Sequence, residues 1–521
     1  MSNIYRKGSK MLAKVNTLGL NGIEGIKMVL EADMNNGLPK VDIVGLPDIS
    51  VKESKERVKS AIKNSGLKFP ILHFTINLAP ASTKKQGAYY DLPMAVAMLI
   101  CCGEIKNNAV GEYTFVGELG LNGEIRKVMG VLPLLITARD VGLKKVFVPA
   151  ENAKEASFID GIDVYAVKSL NQVVDFLNGF ITLTPVAKST FDSDNSEEID
   201  ANDFCFIKGQ EKAKRAMEIS AAGGHNIMMI GPPGAGKTML AKALPTIMSE
   251  MTFEEALEVT KIHSISGLLD SEQGIVRKRP FRTPHHTCTP IALTGGGVKA
   301  TAGEISFAHN GVLFLDELPE YNRKTLETLR QPLEDGVITV ARAVATIVYP
   351  AEFMLVTSMN PCPCGNYGSK TRECRCSPAQ IHSYLQKLSG PLMDRIDIHV
   401  EVDGVSYEDL RDKKASGETS AAVRARVNKA RQIQRNRFAD SKTKCNAKMD
   451  SKQVAKYCVL DEDSSKLLKE AFEAFNLTAR SYNRILKVAR TIADLDGAEN
   501  IGVSHIAEAL SYRTLDKKYW V

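Results

Sequence analysis

One short segment, residues 231–238, constrains the fold of this chain more than any other. It reads Gly-Pro-Pro-Gly-Ala-Gly-Lys-Thr, and it lies between the apolar run 226–230 and the helix-forming run 239–244. The spacing G-x-x-x-x-G-K-[ST] between a buried strand and a helix is the signature of a phosphate-binding loop. The segment therefore predicts an α/β core that binds a nucleoside triphosphate.

Each residue type in this loop suits phosphate chemistry. Glycines let backbone amides converge on phosphate oxygens, and the helix that follows adds the positive field of its amino terminus. We expect Lys237 to reach the β- and γ-phosphates and Thr238 to bind Mg²⁺. The predicted ATP contacts are Gly231, Pro232, Pro233, Gly234, Ala235, Gly236, Lys237 and Thr238.

Two later apolar runs end in polar side chains. The run 311–315 leads to Asp316 and Glu317, which predicts Asp316 next to Mg²⁺ and Glu317 as the group that orients and deprotonates water. The run 353–358 leads to Asn360, whose side chain can hydrogen-bond a γ-phosphate or the attacking water. Alone, two acids after a strand are usually a solvated strand end, and Asn-Pro is usually a turn. Their position after a phosphate-binding loop favours nucleoside triphosphate hydrolysis.

The order of these motifs resembles that of the AAA+ ATPases. The segments GEISFAHNGVLFLDELPEYNRKTLETLRQPLEDG and VTSMNPCPCG resemble the magnesium-chelatase-like clade of that superfamily. Within the clade, RPFRTPHHT at 279–287 and SGPLMDRIDIHVEV at 389–402 resemble the ComM/YifB family. The resemblance covers nearly the whole chain. It implies a P-loop AAA+ module with a helical carboxyl-terminal lid, which uses ATP and Mg²⁺ and forms a homo-hexameric ring.

The resemblance also implies roles for two arginines. Arg395 would be the arginine finger, which reaches into the site of a neighbouring subunit, and Arg480 would be the second sensor arginine at a helix start. Arg484, one turn further on, competes for the sensor role. The alternatives are a surface ion pair for Arg395 and a solvated first-turn residue for Arg480. A finger supplied in trans completes each site only at an interface, and identical heterologous interfaces close into a ring.

Four of the ten cysteines lie within fifteen residues, as two C-x-C pairs that are separated by nine residues. Four thiolates are the right number and type for tetrahedral structural Zn²⁺, although C-x-C is tighter than the usual C-x₂₋₄-C. Free surface thiols are the alternative, and reversible disulfides are less expected in a reducing compartment. The predicted zinc ligands are Cys362, Cys364, Cys374 and Cys376.

The amino-terminal part of the chain alternates strands and helices. Segments at 87–99 and 116–133 resemble the Lon protease domain, which has a ribosomal S5 domain 2-like α/β fold. This chain has Tyr89 where that family has its nucleophilic Ser, and Leu132 where it has its Lys. Without a Ser–Lys dyad no nucleophile is activated, so we expect no peptidase activity. With peptidase activity set aside, the resemblance implies a non-catalytic role for this domain, in ring formation or substrate handling.

The composition along the chain predicts four parts. We expect a Lon-protease-like domain at 1–181, a polar and acidic linker at 182–202, an AAA+ core at 203–403 and a helical lid region at 404–521. The longest apolar run, 92–102, has eleven residues, whereas a membrane span needs roughly 20. The basic start of the chain has no apolar stretch behind it, unlike a secretory signal. We therefore expect a cytoplasmic protein with no membrane partner.

Basic residues are concentrated near the carboxyl end, with twelve Lys or Arg against three Asp or Glu between residues 411 and 448. Arg424 and Arg431, in a helix-forming stretch, are candidate DNA phosphate contacts, although a solvated helix face is the plainer interpretation. Arg342 is the lone charge of a predicted hairpin at 336–349 and is a candidate pore contact, since related DNA motors carry a basic side chain there. Otherwise Arg342 is an exposed hairpin residue. The pair His285-His286 is expected to shape a loop rather than to bind metal.

These predictions favour a ring-forming ATPase that acts on single-stranded or branched DNA. The reaction would be of the helicase or branch-migration type, as in natural transformation or recombination. One alternative is a protein-remodelling AAA+ ATPase like the motor subunit of magnesium chelatase. An inactive regulatory ring is disfavoured, because every ATPase motif is intact.

Overall fold

The computed structural model describes residues 12–70, 72–191, 200–297, 300–341, 346–368, 372–404, 417–474 and 477–519. These residues form two compact units. The first unit contains residues 12–191, together with 252–277 and 346–348. The second unit contains residues 200–251, 278–341 and 349–519.

The first unit is built on a mixed seven-stranded sheet. The strands of the first unit are β1 (Ala13–Asn21), β2 (Glu24–Asn35), β3 (Lys40–Val44), β4 (His73–Ala79), β5 (Tyr113–Phe115), β6 (Glu118–Leu119), β7 (Ile125–Arg126), β8 (Lys145–Pro149) and β9 (Asp163–Val167). The sheet has the order β3-β4-β2-β1-β5-β8-β9, and β6 and β7 pair separately. Its α-helices are Ile49–Asn64, Asp91–Cys101, Val131–Asp140, Ala153–Ala156, Leu170–Leu177 and Phe253–Ile265, with 3₁₀ turns at Asn107–Glu112 and Ala150–Asn152.

Local sequence explains these elements. Side chains along β4 alternate between half-buried and buried, as expected when one face of a strand packs on a core. The helix Asp91–Cys101 is apolar almost throughout and is buried at every position, so it lies in the centre of the first unit.

The second unit contains a parallel five-stranded sheet of order β11-β14-β17-β10-β18, where the strands are β10 (Ile227–Ile230), β11 (Phe281–Arg282), β14 (Val312–Leu315), β17 (Met354–Met359) and β18 (Ile398–Glu401). Two shorter strands of this unit, β12 (Gly295–Gly296) and β13 (Thr301–Ala302), pair with each other in antiparallel orientation. The strand β15 (Val337–Ala341) also lies in this unit, and β16 (Thr346–Pro350) is divided between the two units. The helices before and between these strands are Glu211–Gly223, Lys237–Ile247, Pro290–Thr294, Glu304–Phe307, Arg323–Glu327, Arg330–Asp335, Pro378–Leu385 and Gly390–Met393, with 3₁₀ turns at Phe204–Phe206 and Leu318–Glu320.

The register of the parallel sheet places its functional loops at one edge. Strand β10 pairs with both β17 and β18, and β17 also pairs with β14, all in parallel. The carboxyl ends of parallel strands meet at the same edge, which is where α/β sheets bind ligands. The phosphate loop, Asp316 and Asn360 therefore emerge next to one another, as the sequence predicts.

The carboxyl-terminal part of the second unit is helical, as predicted. Its α-helices are Ser420–Arg437, Ser451–Tyr457, Glu462–Ala474, Ala479–Leu495, Val503–Ser511 and Thr514–Tyr519, with a 3₁₀ turn at Asn446–Lys448. Apolar side chains at helical spacing in the fourth of these helices, Ile485, Val488, Ala489 and Ile492, are buried in the core of the unit. The predicted α/β class with a P-loop core and helical lid is thus confirmed.

Residues 182–191 of the predicted linker have no regular secondary structure. The backbone N–H of Val186 nevertheless donates to the carbonyl of Val164 at 2.7 Å, so this part of the linker runs along the edge strand β9. No described helix combines the length and the apolar composition needed to cross a membrane.

Candidate functional site

The phosphate loop connects β10 to the helix Lys237–Ile247. Gly234 and Gly236 have φ angles of +77° and +87°, in the left-handed region that favours glycine, and a Cβ at either position would meet nothing within 4 Å. Gly231 is constrained differently, because a Cβ there would lie 2.2 Å from the carbonyl oxygen of Val402. The loop is thus anchored at its start and open over its glycines, which fits a cradle for phosphate oxygens.

Lys237 is buried at the centre of this loop. Its Nζ donates to the carbonyls of Gly231 and Pro232 at 2.7 and 2.9 Å, and to Oδ1 of Asn360 at 3.2 Å. Burial lowers the pKa of the Lys237 ammonium, while the charges of Asp316 and Glu317 act in the opposite direction. The lysine therefore connects the phosphate loop with the end of β17.

Asp316 joins the phosphate loop to the end of β14. Its Oδ2 accepts a 3.0 Å hydrogen bond from Oγ1 of Thr238, and its Oδ1 accepts one from Oγ of Ser358. Carboxylate and hydroxyl oxygens are the ligands that Mg²⁺ prefers. The predicted magnesium residues, Thr238 and Asp316, are therefore brought together in an arrangement that fits the ion.

Glu317, the next residue, has φ 53° and ψ 49°, a left-handed conformation that is rare outside glycine and asparagine. Its side chain is 58% exposed, and its Oε2 lies 3.9 Å from Nδ1 of His286. Strained backbone of this kind is concentrated at functional sites. The conformation points the carboxylate away from the sheet core and toward the segment that carries His286.

The two predicted arginines lie together in the second unit, beside a cavity of about 270 Å³. Arg395 donates to the carbonyl of Pro391 at 2.7 Å and forms an ion pair with Glu334. Arg480 lies on the same cavity, and its Nη1 is 4.0 Å from Oδ2 of Asp394. The residues that line this cavity do not include the phosphate loop, Asp316 or Asn360. Within one chain, the structure groups the site residues into two separate sets.

The competing sensor candidates differ in exposure. The side chain of Arg480 is 66% exposed, whereas that of Arg484 is 16% exposed and its Nε lies 3.4 Å from Asp397. Burial acts to raise the pKa of Asp397, but the hydrogen bond from His225 and the charges of His225, Arg484 and Lys487 outweigh it and lower that pKa to about 2. Arg484 is thus part of a buried ionic network, and Arg480 is the more exposed of the two arginines, although both line the cavity.

The four clustered cysteines come together, as predicted. Their sulfur atoms all lie within 4.8 Å of one another, and Sγ of Cys362 is 3.4 Å from that of Cys364 and 3.7 Å from that of Cys374. Backbone N–H groups of Asn366 and Arg375 lower the pKa of Cys364 to about 6. With Zn–S bonds of about 2.3 Å, the edges of a tetrahedral zinc site are about 3.8 Å long. The three distances among the sulfur atoms of Cys362, Cys364 and Cys374, 3.4, 3.7 and 3.7 Å, are close to this edge length, so the donor set fits a tetrahedral zinc site.

The predicted DNA contacts have different outcomes. Arg342 lies outside the described residues. Arg424 and Arg431 are half-buried on the helix Ser420–Arg437, and Nε of Arg431 is fully buried. The two residues are seven positions apart and so on one face, which they share with the exposed Arg435. Two other basic residues of this helix are structural, because Arg426 pairs with Glu218 and Glu418, and Arg437 pairs with the buried Asp494. The helix therefore offers fewer basic side chains for phosphate binding than its sequence indicates.

In the first unit, both positions that differ from a Ser–Lys protease are buried. Leu132 is fully buried and Tyr89 is 6% exposed. The hydroxyl of Tyr89 accepts a hydrogen bond from the backbone of Leu20 at 3.4 Å, and burial raises the pKa of Tyr89 to about 12. These side chains fill the core and leave no nucleophile at either position, in agreement with the expected lack of peptidase activity.

Three residues at the site were not predicted as functional. Ser358 binds Asp316, His286 faces Glu317, and Gln210 donates to the carbonyl of Asp403 at 2.5 Å and to that of Ala235 at 3.4 Å. Ser358 had a detectable signal, because it lies two residues before Asn360 on a strand that ends at the site. His286 and Gln210 are brought to the site by loops, and no spacing in the sequence indicates this.

Comparison with known families gives matches over three segments. Residues 203–410 match the family described as magnesium chelatase, subunit ChlI, and residues 417–513 match the carboxyl-terminal family of the same subunit. Residues 30–152 match a family described as subunit ChlI of Mg-chelatase. These segments cover the sheet of the second unit, its helical region and most of the first unit.

Comparison with individual proteins gives matches over the full length. The chain is 42% identical over 510 residues to competence protein ComM of Haemophilus influenzae, which covers 97% of this chain and 98% of ComM. It is 42% identical over 506 residues to YifB of Escherichia coli, with the same coverage. A shorter match, 32% identical over 126 residues, is to Lon protease 2 of Bacillus subtilis and covers 24% of this chain and 22% of that protease.

Proposed function

Because the chain belongs to the ComM/YifB family of magnesium-chelatase-like AAA+ proteins, we propose that it is an ATP-driven, ring-forming motor that remodels DNA. The observation that carries the ATPase assignment is the meeting of Lys237, Thr238, Asp316 and Asn360 at one edge of the parallel sheet. Each is the residue type that phosphoryl transfer requires there. The DNA assignment is supported by the likeness to a competence protein and by the basic face of the helix Ser420–Arg437.

We assign the steps of hydrolysis to individual side chains. The backbone N–H groups of Gly234, Ala235, Gly236, Lys237 and Thr238, together with the Lys237 ammonium, hold the phosphates. Thr238 and Asp316 would hold Mg²⁺, which would neutralise charge on the phosphate oxygens. Asn360 orients the γ-phosphate or the attacking water. Glu317 accepts the proton of that water, since its carboxylate is exposed beside the loop. His286, 3.9 Å away, is placed to orient the Glu317 carboxylate.

We further propose that Arg395 and Arg480 act on the ATP of a neighbouring subunit. Support comes from their common position beside one cavity, apart from the phosphate loop of their own chain. If these side chains serve a phosphate loop other than their own, a site is complete only when a second copy supplies the other half, and identical interfaces of this kind close into a ring. A homo-hexamer is the ring that the family resemblance implies.

The experiment that tests the proposed function is ATP hydrolysis with single-stranded, duplex and forked DNA at low salt. A DNA motor should hydrolyse ATP faster with at least one of these, because nucleic-acid binding completes its working cycle. If none of these DNAs changed the rate of ATP hydrolysis but a protein partner increased it, the result would instead favour a protein-remodelling motor. That alternative is supported by the match of 203–410 to a magnesium chelatase subunit.

We propose Arg424 and Arg431 as phosphate contacts, and Arg342 as a pore contact. Changing Arg424 and Arg431 together to Ala should weaken DNA binding and make it less dependent on salt. Each lost phosphate contact lowers the slope of log K against log salt by about 0.7 for single strands. Binding isotherms between about 50 and 200 mM salt measure this slope.

A matched control for this pair is Lys466→Ala with Lys469→Ala, which removes the same charge from exposed positions on another helix. The control should leave the salt slope unchanged. Equal slopes for wild type and the Arg424/Arg431 variant would exclude this face as a DNA contact.

We propose that the four clustered cysteines bind one structural Zn²⁺ per chain. Four thiolates leave no open coordination position, so the ion has no catalytic role. Protein purified under reducing conditions without chelators should contain about one equivalent of zinc by elemental analysis. The variant with Cys364→Ser and Cys376→Ser should lose it, whereas Cys205→Ser, outside the cluster, should retain it. Wild-type protein without metal would refute the site.

For the amino-terminal unit we propose a non-catalytic role in ring formation or substrate handling. The short likeness to Lon protease 2 supports the fold, and the buried Tyr89 and Leu132 argue against peptidase chemistry.

A further inference from the structure

The cysteine cluster lies in a loop that leaves and returns to the ATP site. We define the zinc loop as residues 362–376, of which 369–371 lie outside the described residues. Its first cysteine comes two residues after Asn360, and its last comes two residues before the helix Pro378–Leu385. The zinc loop therefore connects the residue that we assign to the γ-phosphate with a helix of the same unit.

The near part of the zinc loop packs on the phosphate loop. Gly365 has φ +79°, and a Cβ at this position would lie 2.4 Å from Cδ and 2.9 Å from Cγ of Pro233. No side chain can be accommodated at that distance, so the backbone of Gly365 lies directly against the Pro233 ring. Pro233 is the third residue of the phosphate loop, directly before the open glycines. The zinc loop thus supports the phosphate loop from the side of β17.

The helix Pro378–Leu385, which follows the zinc loop, returns to Asn360. Ser377 caps the following helix, and its hydroxyl accepts from the backbone N–H of Gln380 at 3.3 Å in a capping box. Near the end of this helix Tyr384 is buried close to Asn360: burial raises the pKa of the Tyr384 hydroxyl, and the backbone of Asn360 acts in the opposite direction. Lys237 also donates to Asn360, so the zinc loop and the helix that follows it both lie next to residues that we assign to phosphate binding.

We infer that the zinc loop, when it binds its metal, stabilises the conformation of the phosphate loop. Bound Zn²⁺ fixes the four thiolates, and this fixes Gly365 against Pro233 and Tyr384 against Asn360. Without the ion, the four sulfur atoms are no longer bound to one centre and the loop relaxes, which removes the support from the phosphate loop. Loss of zinc should therefore weaken nucleotide binding although no cysteine touches the nucleotide residues. This inference rests on the proposed ATP and zinc sites.

The test measures nucleotide affinity and zinc content on the same full-length chain. Zinc is removed with a chelator, restored with a zinc salt, and quantified by elemental analysis at each step. The affinity for a fluorescent ADP analogue should fall at least about tenfold on removal and recover on restoration. Affinities within twofold of one another in the loaded and stripped protein would overturn the inference.

A substitution at Gly365 separates the contact between the zinc loop and the phosphate loop from zinc binding itself. Gly365→Ala should retain zinc, because residue 365 is not a ligand, yet it should weaken ADP binding because its methyl group collides with Pro233. The matched control is Gly497→Ala, which also has a positive φ, of +69°, but would meet nothing within 4 Å. Unchanged affinity in Gly365→Ala would overturn the inference. If zinc-loaded wild type bound no nucleotide, the proposed ATP site itself would be wrong.

Discussion

Replacing Glu317 by Gln should lower the rate of ATP hydrolysis by about 10²–10⁴-fold while ATP still binds, because the change removes a general base and spares the phosphate loop. The amide is nearly the same size as the carboxylate, and the exposed side chain contributes little to packing. Single-turnover hydrolysis and equilibrium binding of a fluorescent ATP analogue measure the two effects separately.

The control for this prediction is Lys237→Ala, which removes the ammonium that donates to Gly231, Pro232 and Asn360. It should lose nucleotide binding and hydrolysis together. If Glu317→Gln hydrolysed ATP at the wild-type rate, the base would be a different residue and the assignment of Glu317 would be wrong.

Replacing Arg395 by Ala should lower turnover by about 10³-fold or more, the effect of losing an arginine finger, without preventing ATP binding. The variant has an intact phosphate loop but no finger, and Lys237→Ala has the opposite defect. At a mixed interface, the finger of a Lys237→Ala subunit can serve the site of an Arg395→Ala subunit. Mixing the two inactive variants should therefore restore measurable hydrolysis.

The control mixture combines Lys237→Ala with Glu317→Gln. Both changes disable the site of their own chain, so no interface between them is complete and no recovery is expected. Assembly of the mixtures is verified by size-exclusion chromatography with ATP. Absence of recovery in the Arg395→Ala mixture, with assembly verified, would contradict a finger that acts in trans.

Much of the ATP site could be predicted from the sequence, because its determinants are local. The phosphate loop follows its strand directly, and Asp316 and Asn360 each follow a strand of the same parallel sheet. Parallel pairing then brings these strand ends together without further information. The cysteine cluster was predictable for the same reason, since all four ligands lie within fifteen residues.

Features that depend on long-range packing were not predictable. The left-handed backbone of Glu317 and the approach of His286 to it require the loop 283–289 to fold onto the end of β14. The sequence also does not indicate that 252–277 belongs to the first unit. This segment is held there in part by Ser264, which pairs with the buried Glu155 more than one hundred residues earlier in the chain. The ion pair of Arg437 with Asp494 changed the interpretation of the basic helix. A sequence pattern gives charge and spacing, but it does not give the partner.

The most direct test of a DNA motor is strand displacement on a labelled forked duplex with the wild-type protein, ATP and Mg²⁺. The account predicts displacement that requires ATP hydrolysis, so Glu317→Gln should bind the fork and release no strand. The same protein preparations are also incubated with a second substrate, a mobile four-way DNA junction, whose branch point should migrate under the same conditions. If wild-type protein hydrolysed ATP but neither displaced a strand nor moved the junction, and if DNA did not change its hydrolysis at low salt, the DNA motor would be contradicted.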